Sequence, residues 1–341
     1  MKRSFCTCFD HNYMVYGLTM FRSLAESGIE FELYVLCLSD KAFEMLESLR
    51  DFRLIPLDLK ELEAFDPELK ECEKNRSKAE YIFTISPCLP LWLFHKYPQL
   101  ELLTYLDADL HFTSTPEPLF QELGEKSLYV TEHRFAPGFE NDILNGRFNV
   151  AFQIYRNNSV CISCLQTWRK ECIEWCYDRC EDGKFADQKY LDRWPERCGE
   201  ELVISSHPGA NLAPWNIANY EIRTQNGITT VSGNELIFTH YQSFKLIRKN
   251  AAIWVSWNRN KKIRREWNVL PRRYLAELQK TMKLYPEIFK EWKPLFSFRG
   301  TAPGKREEKI LGFIPGKFLR QLVHILYVMW SWRRGFFINR K

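Results

Sequence analysis

Hydrophobic positions in the first half of the chain come in two alternating rhythms. Short apolar runs, SFCTCF (4–9), FELYVLCLS (31–39) and RLIPLDL (53–59), have the length and composition of buried strands. Between them, YMVYGLTMFRSLAESG (13–28) and DKAFEMLESLR (40–50) repeat apolar residues at helical spacing. Gly28 stops the first of these helices, and Ser39 or Asp40 caps the second. Ser77-Lys78-Ala79-Glu80 has capping-box spacing ahead of another apolar helix, and LLTYL (102–106) is the next strand. This order predicts an α/β fold: a mostly parallel sheet with helices on both faces.

Further strands are expected in SLYVTEH (127–133), FNVAFQIYRN (148–157) and ELVISS (201–206). A long helix is expected over 163–182, and a Gly-, Pro- and Asn-rich loop over 207–220. ELIFTHYQSFK (235–245) reads as one last strand. Beyond it the chain turns basic, helical and Trp-rich. The predicted organisation is a catalytic domain over 1–245, a basic helical extension over 246–300, and a linker with a basic amphipathic tail over 301–341. The longest apolar stretch of that tail, 325–330, is too short to span a bilayer.

Charge sharpens this division. The net +5 hides 24 Lys+Arg against 6 Asp+Glu from Lys245 onward, and 24 against 37 before it. Such a tail expects an anionic partner, and its Trp, Lys and Arg suit a membrane headgroup region. No zinc-finger, RRM or helix-turn-helix signature supports nucleic acid. The start MKRSFCTCFDHNY has no apolar signal core, and the eleven scattered cysteines read as reduced thiols. The expected location is the cytoplasm, peripherally on the inner face of the membrane. Cys161, Cys164, Cys172, Cys176 and Cys180 read as a small-residue helix face packed on the core, with a zinc site as the alternative.

Ligands of parallel sheets sit at the carboxyl ends of strands. Asp10 follows the first strand, and Asp107 and Asp109 follow LLTYL. Asp-x-Asp at a strand end suits a hard divalent cation, Mn²⁺ or Mg²⁺, with room left for phosphate oxygens. A phosphatase Asp-x-Asp-x-Thr is disfavoured because position 111 is His; a helix cap at Asp107 with a solvated Asp109 is the structural alternative. His240 ends another strand and is a third possible ligand, and Lys245 could reach a phosphate.

Taken in order, CTCFDHNYMVYGLTMFRSL, YLDADL, FNVAFQIYRNN, DGKFADQKYL, GANLAPWN and HYQSFK resemble the motif series of GT-A-fold glycosyltransferases, most nearly the family 8 type, over roughly residues 3–245. Ser243 stands where that family usually has glycine, and FNVA replaces FNSG. The resemblance implies a GT-A fold, a Rossmann-like mixed sheet, and a metal held by Asp107, Asp109 and His240. It implies a nucleotide site of Thr7, Cys8, Asp10, Tyr13 and Lys245, with Arg76 and Lys78 as further phosphate contacts. It places Asp187 and Gln188 nearest the reacting sugar, and Asn149, Asn211, Trp215 and Asn216 on the sugar or acceptor. The expected activity is transfer of a hexosyl group, with retention, from a nucleotide diphosphate sugar, UDP-linked by preference. The acceptor would be a saccharide or a lipid-linked glycan, as in surface polysaccharide or glycolipid synthesis. A sugar-phosphate nucleotidyltransferase is the alternative enzyme, although TCFDHNYMVYG lacks its Gly-rich signature; a non-catalytic binding protein of the same fold is the other.

Overall fold

The computed structural model describes residues 2–254, 265–290, 293 and 337–339. Most of the expected linker and tail, 301–341, lies outside the described residues. Two compact units divide the chain, Met1–Tyr241 and Gln242–Lys341.

The first unit begins with β1 (Arg3–Phe9), α1 (Met14–Glu26), β2 (Phe31–Cys37), α2 (Asp40–Leu49) and β3 (Leu54–Asp58). Ser39 caps α2 by accepting from the N–H of Ala42. Two short helices, α3 (Leu59–Phe65) and α4 (Pro67–Cys72), lead to the long α5 (Lys78–Lys96). The Ser77–Glu80 capping box closes in both directions and fixes where α5 starts. Then come β4 (Leu102–Leu106), β5 (Leu110–Phe112), α6 (Glu117–Leu123), β6 (Leu128–Glu132), β7 (Phe148–Arg156) and α7 (Ser159–Glu174). A short α8 (Trp194–Cys198) precedes β8 (Leu202–Ile204). A small antiparallel meander, β9 (Ile222–Gln225), β10 (Ile228–Val231) and β11 (Asn234–Glu235), precedes β12 (Phe238–His240).

Seven strands form the central sheet in the order β3-β2-β1-β4-β7-β6-β8. Its neighbours are parallel except β7, which runs antiparallel to both β4 and β6. The chain winds from β1 outward through β2 and β3, then crosses to β4 on the other side of β1. That reversal opens a crevice at the carboxyl ends of β1 and β4. One face of the sheet packs Cys6, Cys8, Leu103, Tyr105 and Val130 against Ile85 and Leu89 of α5 and Leu165 and Trp168 of α7. On the other face Phe5 meets Phe31 and Phe120 edge-on. Gly17 lets α1 lie close to the end of β1, because a Cβ there would stand 2.4 Å from the Phe9 ring.

Two expectations change. The helix expected over 163–182 starts at Ser159, because the Asn158 side chain captures the N–H of Cys161, and ends at Glu174, where Trp175 turns extended. Cys161, Cys164, Cys172 and Cys176 are buried in the core, and Cys180 is exposed and bonded to Asn145. The single strand expected over 235–245 breaks after His240, with Ser243 at φ 65°.

The second unit opens with β13 (Phe244–Arg248), paired antiparallel with β14 (Ala251–Trp254), which also pairs with residues 337–339. Its helix Val269–Leu284 buries Leu270, Tyr274, Leu275, Leu278 and Met282. The Phe244 ring packs edge-on against Trp254 and Tyr274.

Candidate functional site

β4 ends at Leu106, and the next residues reverse the chain. The N–H of Asp107 bonds to the Ala151 carbonyl of β7 at 3.0 Å, and the N–H of Leu110 returns to the Asp107 carbonyl at 3.4 Å. β5 then pairs antiparallel with β12, with His240 opposite Leu110. The N–H of Tyr241 closes the ribbon on the Asp109 carbonyl at 3.0 Å. This short ribbon sets the His240 imidazole beside the two aspartates.

His240 Nε2 lies 3.3 Å from Asp109 Oδ1 and 3.7 Å from Asp107 Oδ2. One ligand-capable atom from each of the three residues falls within 4.8 Å of the others, the only such cluster among the described residues. Burial pushes the Asp107 carboxyl up to about 6, with His240 pulling it down and the charge of Asp109 adding to the rise. Burial pulls His240 down, but Asp109 and then Asp107 more than offset it, so its pKa is raised. Two carboxylates held this close repel each other, and a divalent cation would relieve that repulsion. Their oxygens and one imidazole nitrogen suit Mn²⁺ or Mg²⁺, with further positions for water or phosphate. His240 Nδ1 is buried with no partner in the protein, so a bound ion on Nε2 would leave Nδ1–H for an ordered water. The residues fit a divalent ion.

A second polar centre forms at the end of β1. Asp10 accepts from the N–H groups of Asn12 and Tyr13, each at 3.0 Å, and from Asn12 Nδ2 at 2.9 Å. Lys78, in the first turn of α5, reaches across to pair with it. Burial would raise the Asp10 pKa, but Lys78, Asn12 and Tyr13 outweigh it and the carboxyl is held low. Tyr13 lies between the two centres: burial raises its phenol well above 10, with added pressure from the charges of Asp109, Asp107 and Asp10.

Asp187 is buried on the α5–α7 side. Its carbonyl accepts from Trp168 Nε1 at 2.9 Å. Burial drives its carboxyl up to about 7, opposed by a hydrogen bond from Ser86 and reinforced by the charge of Asp107. Gln188 faces elsewhere, its Nε2 donating to the Asn145 carbonyl at 2.9 Å.

The loop before β9 is fastened along β12. The Gly209 carbonyl accepts from Ile237 and Phe238, and the N–H of His240 bonds to the Leu212 carbonyl. Gly209 is required there, since a Cβ would stand 2.1 Å from the Glu235 carbonyl oxygen. Asn216 is wholly committed: its Oδ1 accepts from Ala213, and its Nδ2 donates to the carbonyls of His133 and Asn211. Asn211, at φ 60°, donates to the Glu132 carbonyl and leaves a buried Oδ1 without a partner. Trp215 packs edge-on against His240 at 5.4 Å, its indole N–H also buried and partnerless. Asn149, near the start of β7, bonds to His133.

The expected residues therefore separate. Asp107, Asp109 and His240 converge; Asp10, Tyr13 and Lys78 form the neighbouring centre. Thr7 is fully enclosed and, by strand alternation, faces away from Cys8, whose sulfur contacts the Tyr105 hydroxyl at 3.9 Å. Arg76 is turned to the Ile173 carbonyl and stacks over Tyr177 at 4.0 Å. Lys245 belongs to the second unit, on β13 opposite Ile253. Two neighbours of the site escaped sequence reasoning. Tyr105, hydrogen-bonded to Asp107, looked like core inside an apolar run. His133 follows the carboxyl end of β6, the position that drew attention to Asp10 and Asp107.

No known family model matches the chain. It is 34% identical to YfnD, an uncharacterized protein of Bacillus subtilis (strain 168), over 246 residues, 71% of this chain and 78% of that one. YfnF of the same organism, also uncharacterized, is 26% identical over 260 residues, 73% of this chain and 84% of that one. Among solved structures, galactosyltransferase LgtC in complex with donor and acceptor sugar analogs superposes with a TM-score of 0.52. Its sequence identity is 16%, covering 85% of this chain and 100% of that one. The chain thus has the GT-A fold of LgtC, and by its identity to YfnD it belongs to the same family as that protein.

Proposed function

We propose that the protein is a metal-dependent glycosyltransferase that moves a sugar from a nucleotide diphosphate sugar to a saccharide or lipid-linked acceptor. The observation that carries this reading is the Asp107–Asp109–His240 cluster, which lies at the β1/β4 switch point of a GT-A fold beside Asp10 and Lys78. LgtC, which shares the fold, is a galactosyltransferase solved with donor and acceptor analogs, which supports the same class of chemistry here.

Asp107, Asp109 and His240 would hold Mn²⁺ or Mg²⁺, whose contribution is Lewis-acid neutralisation of the departing diphosphate. The remaining work falls to the chain. Asp10, kept ionised by Lys78 and two peptide N–H groups and filled by them and Asn12, would hold Lys78 and the end of β1 in place beside the base or ribose. Tyr13 offers its ring beside the same centre. Lys78 would supply positive charge for phosphate oxygens. Asp187, whose carboxyl burial pushes up to about 7, would once ionised face positive charge developing on the sugar, in keeping with retention of configuration. UDP-linked hexoses are the first donors to test.

The basic second unit and tail would bring the enzyme to an anionic membrane face carrying a lipid-linked acceptor in surface polysaccharide synthesis. The excess of Lys and Arg after Lys245 supports this. The decisive experiment is a panel of UDP- and GDP-sugars with Mn²⁺, scored for hydrolysis and for transfer. Turnover of one donor, abolished by EDTA and restored by Mn²⁺, is expected. Neither turnover nor a thermal shift with any donor would remove this reading. Pyrophosphate release from a sugar phosphate and a nucleoside triphosphate would replace it with nucleotidyl transfer.

A further inference from the structure

His133 is a buried histidine whose two ring nitrogens both have partners. Its Nδ1 lies 3.3 Å from the Arg147 carbonyl oxygen, which can only accept, so Nδ1 carries the proton. Nε2 is then a bare lone pair, and it faces Asn149 Nδ2 at 3.1 Å. The amide is fixed a second time at its other end, where Asn149 Oδ1 accepts from the N–H of Ala151 at 3.2 Å. Both constraints select the same flip of the Asn149 side chain. Burial lowers the His133 pKa to about 3, so the ring stays neutral and Nε2 stays an acceptor.

The ring itself is held rigidly. It stacks on Phe135 at 4.7 Å with an interplanar angle of 8° and meets the edge of Trp215 at 5.5 Å. Trp215 in turn meets His240 edge-on at 5.4 Å. A continuous aromatic row thus joins His133 to the Asp107–Asp109–His240 centre. The His133 backbone is pinned too: its N–H bonds to the Arg147 carbonyl, and its carbonyl accepts from Asn216.

We propose that His133 is a positioning residue for Asn149: it fixes the amide so that Asn149 offers a bound sugar or acceptor a single remaining Nδ2 hydrogen, a donor to one ligand oxygen. This rests on the glycosyltransferase reading and deepens it. Asn149 Oδ1 is held by the Ala151 N–H, so the free Nδ2 hydrogen is the contact whose direction His133 helps to set. Without His133 the amide keeps only the contact from the Ala151 N–H, and the donor is held less firmly in place.

The test compares His133→Phe, which keeps a stacking ring and removes the acceptor, with His133→Gln, which restores one. For the donor that the enzyme turns over, His133→Phe should lower kcat/KM about tenfold, the scale of one lost hydrogen bond beside a buried polar group. His133→Gln should recover a good part of that loss. Affinity for the free nucleotide diphosphate with Mn²⁺ should change less than twofold in both. The double variant His133→Phe/Asn149→Leu should be no worse than Asn149→Leu alone. Full activity in His133→Phe, or losses that multiply in the double variant, would overturn the proposal. A second arm does not need turnover: ¹⁵N NMR of histidine-labelled protein should show His133 as the neutral Nδ1–H tautomer, with an Nε2 signal that moves in Asn149→Leu. An Nε2–H tautomer would refute the proposal whether or not the enzyme transfers sugar. Wild-type protein inert to every donor, with the expected tautomer, would instead indict the functional reading alone.

Discussion

Two carboxylate centres end neighbouring strands of one sheet, and they are built in opposite ways. At the end of β1, Asp10 is surrounded by compensation: two peptide N–H groups, one side-chain amide and the Lys78 ammonium. Its pKa falls although it is buried. At the end of β4, Asp107 and Asp109 face each other and His240 without a lysine or arginine partner among the described residues, and Asp107 is pushed up to about 6. The first centre has its charge compensated by the protein itself; the second leaves its carboxylates facing each other, and an added positive charge would compensate them.

Removing one half of the open centre is the harshest way to break this contrast. Asp109→Ala takes away the carboxylate nearest His240 and leaves too few ligands for a divalent ion. Turnover of the nucleotide sugar should fall by about a thousandfold or more, since the interaction lost acts directly on the leaving group. Thermal denaturation with and without Mn²⁺ gives a readout independent of turnover. Wild-type protein should gain several degrees with the ion, and Asp109→Ala should gain nothing. Undiminished activity in the variant would show that the ion, if required, binds elsewhere.

The two centres also differ in how far they were legible. Strand ends carrying Asp10 and Asp107, the Ser77–Glu80 cap and the LLTYL strand are local patterns, and the fold has them where periodicity and capping put them. The pairing of His240 with Asp109 depends on a ribbon only a few residues long, β5 with β12, joining segments more than a hundred residues apart. No period reveals that; the motif order suggested it. What stayed hidden is non-local and polar. Lys78 was expected at a phosphate, and its pairing with Asp10 shows only where α5 crosses the end of β1. His133 and Tyr105 read as ordinary strand residues, and their role lies in what they touch. The helix over 163–182 was misplaced because the cysteine spacing looked helical, whereas the Asn158 cap and the extended Trp175 set its limits.

A subtler probe uses Asp187, which shares the open character of the β4 centre. The folded state keeps its proton up to about pH 7, while the unfolded chain releases it near pH 4. Between those values the unfolded state binds fewer protons, so stability falls as pH rises through that window and then levels off. Asp187→Asn should abolish this decline, making the metal-free protein more stable at pH 8 by an amount on the order of a few kcal/mol, with little change at pH 4. Urea melts at the two pH values measure it. The same variant should lose transfer activity, which would separate the cost of burying this acid from its use. Equal pH slopes in wild type and variant would mean that Asp187 is ionised in the fold.

The smallest effect comes from the closed centre and has the opposite sign. Asp10 is held below its unfolded pKa, so it contributes stability that is present above the unfolded value and is lost as pH falls through the folded one. Lys78→Met removes one contributor and leaves Asn12 and the two N–H groups. Because the Lys78 side chain is 65% exposed, solvent screens the pair, and the cost at pH 7 should be only about 0.5 kcal/mol. Its loss should be felt more by the ligand. With less positive charge at the crevice, affinity for a nucleotide diphosphate should fall about threefold to tenfold, and more at low ionic strength than at high. Titration calorimetry at two salt concentrations checks this against Asp10→Asn, which should weaken binding with far less dependence on salt. If Lys78→Met instead destabilises the fold as strongly as a core deletion, the lysine is holding the end of β1 together. The closed centre would then be a structural clamp with no share in binding.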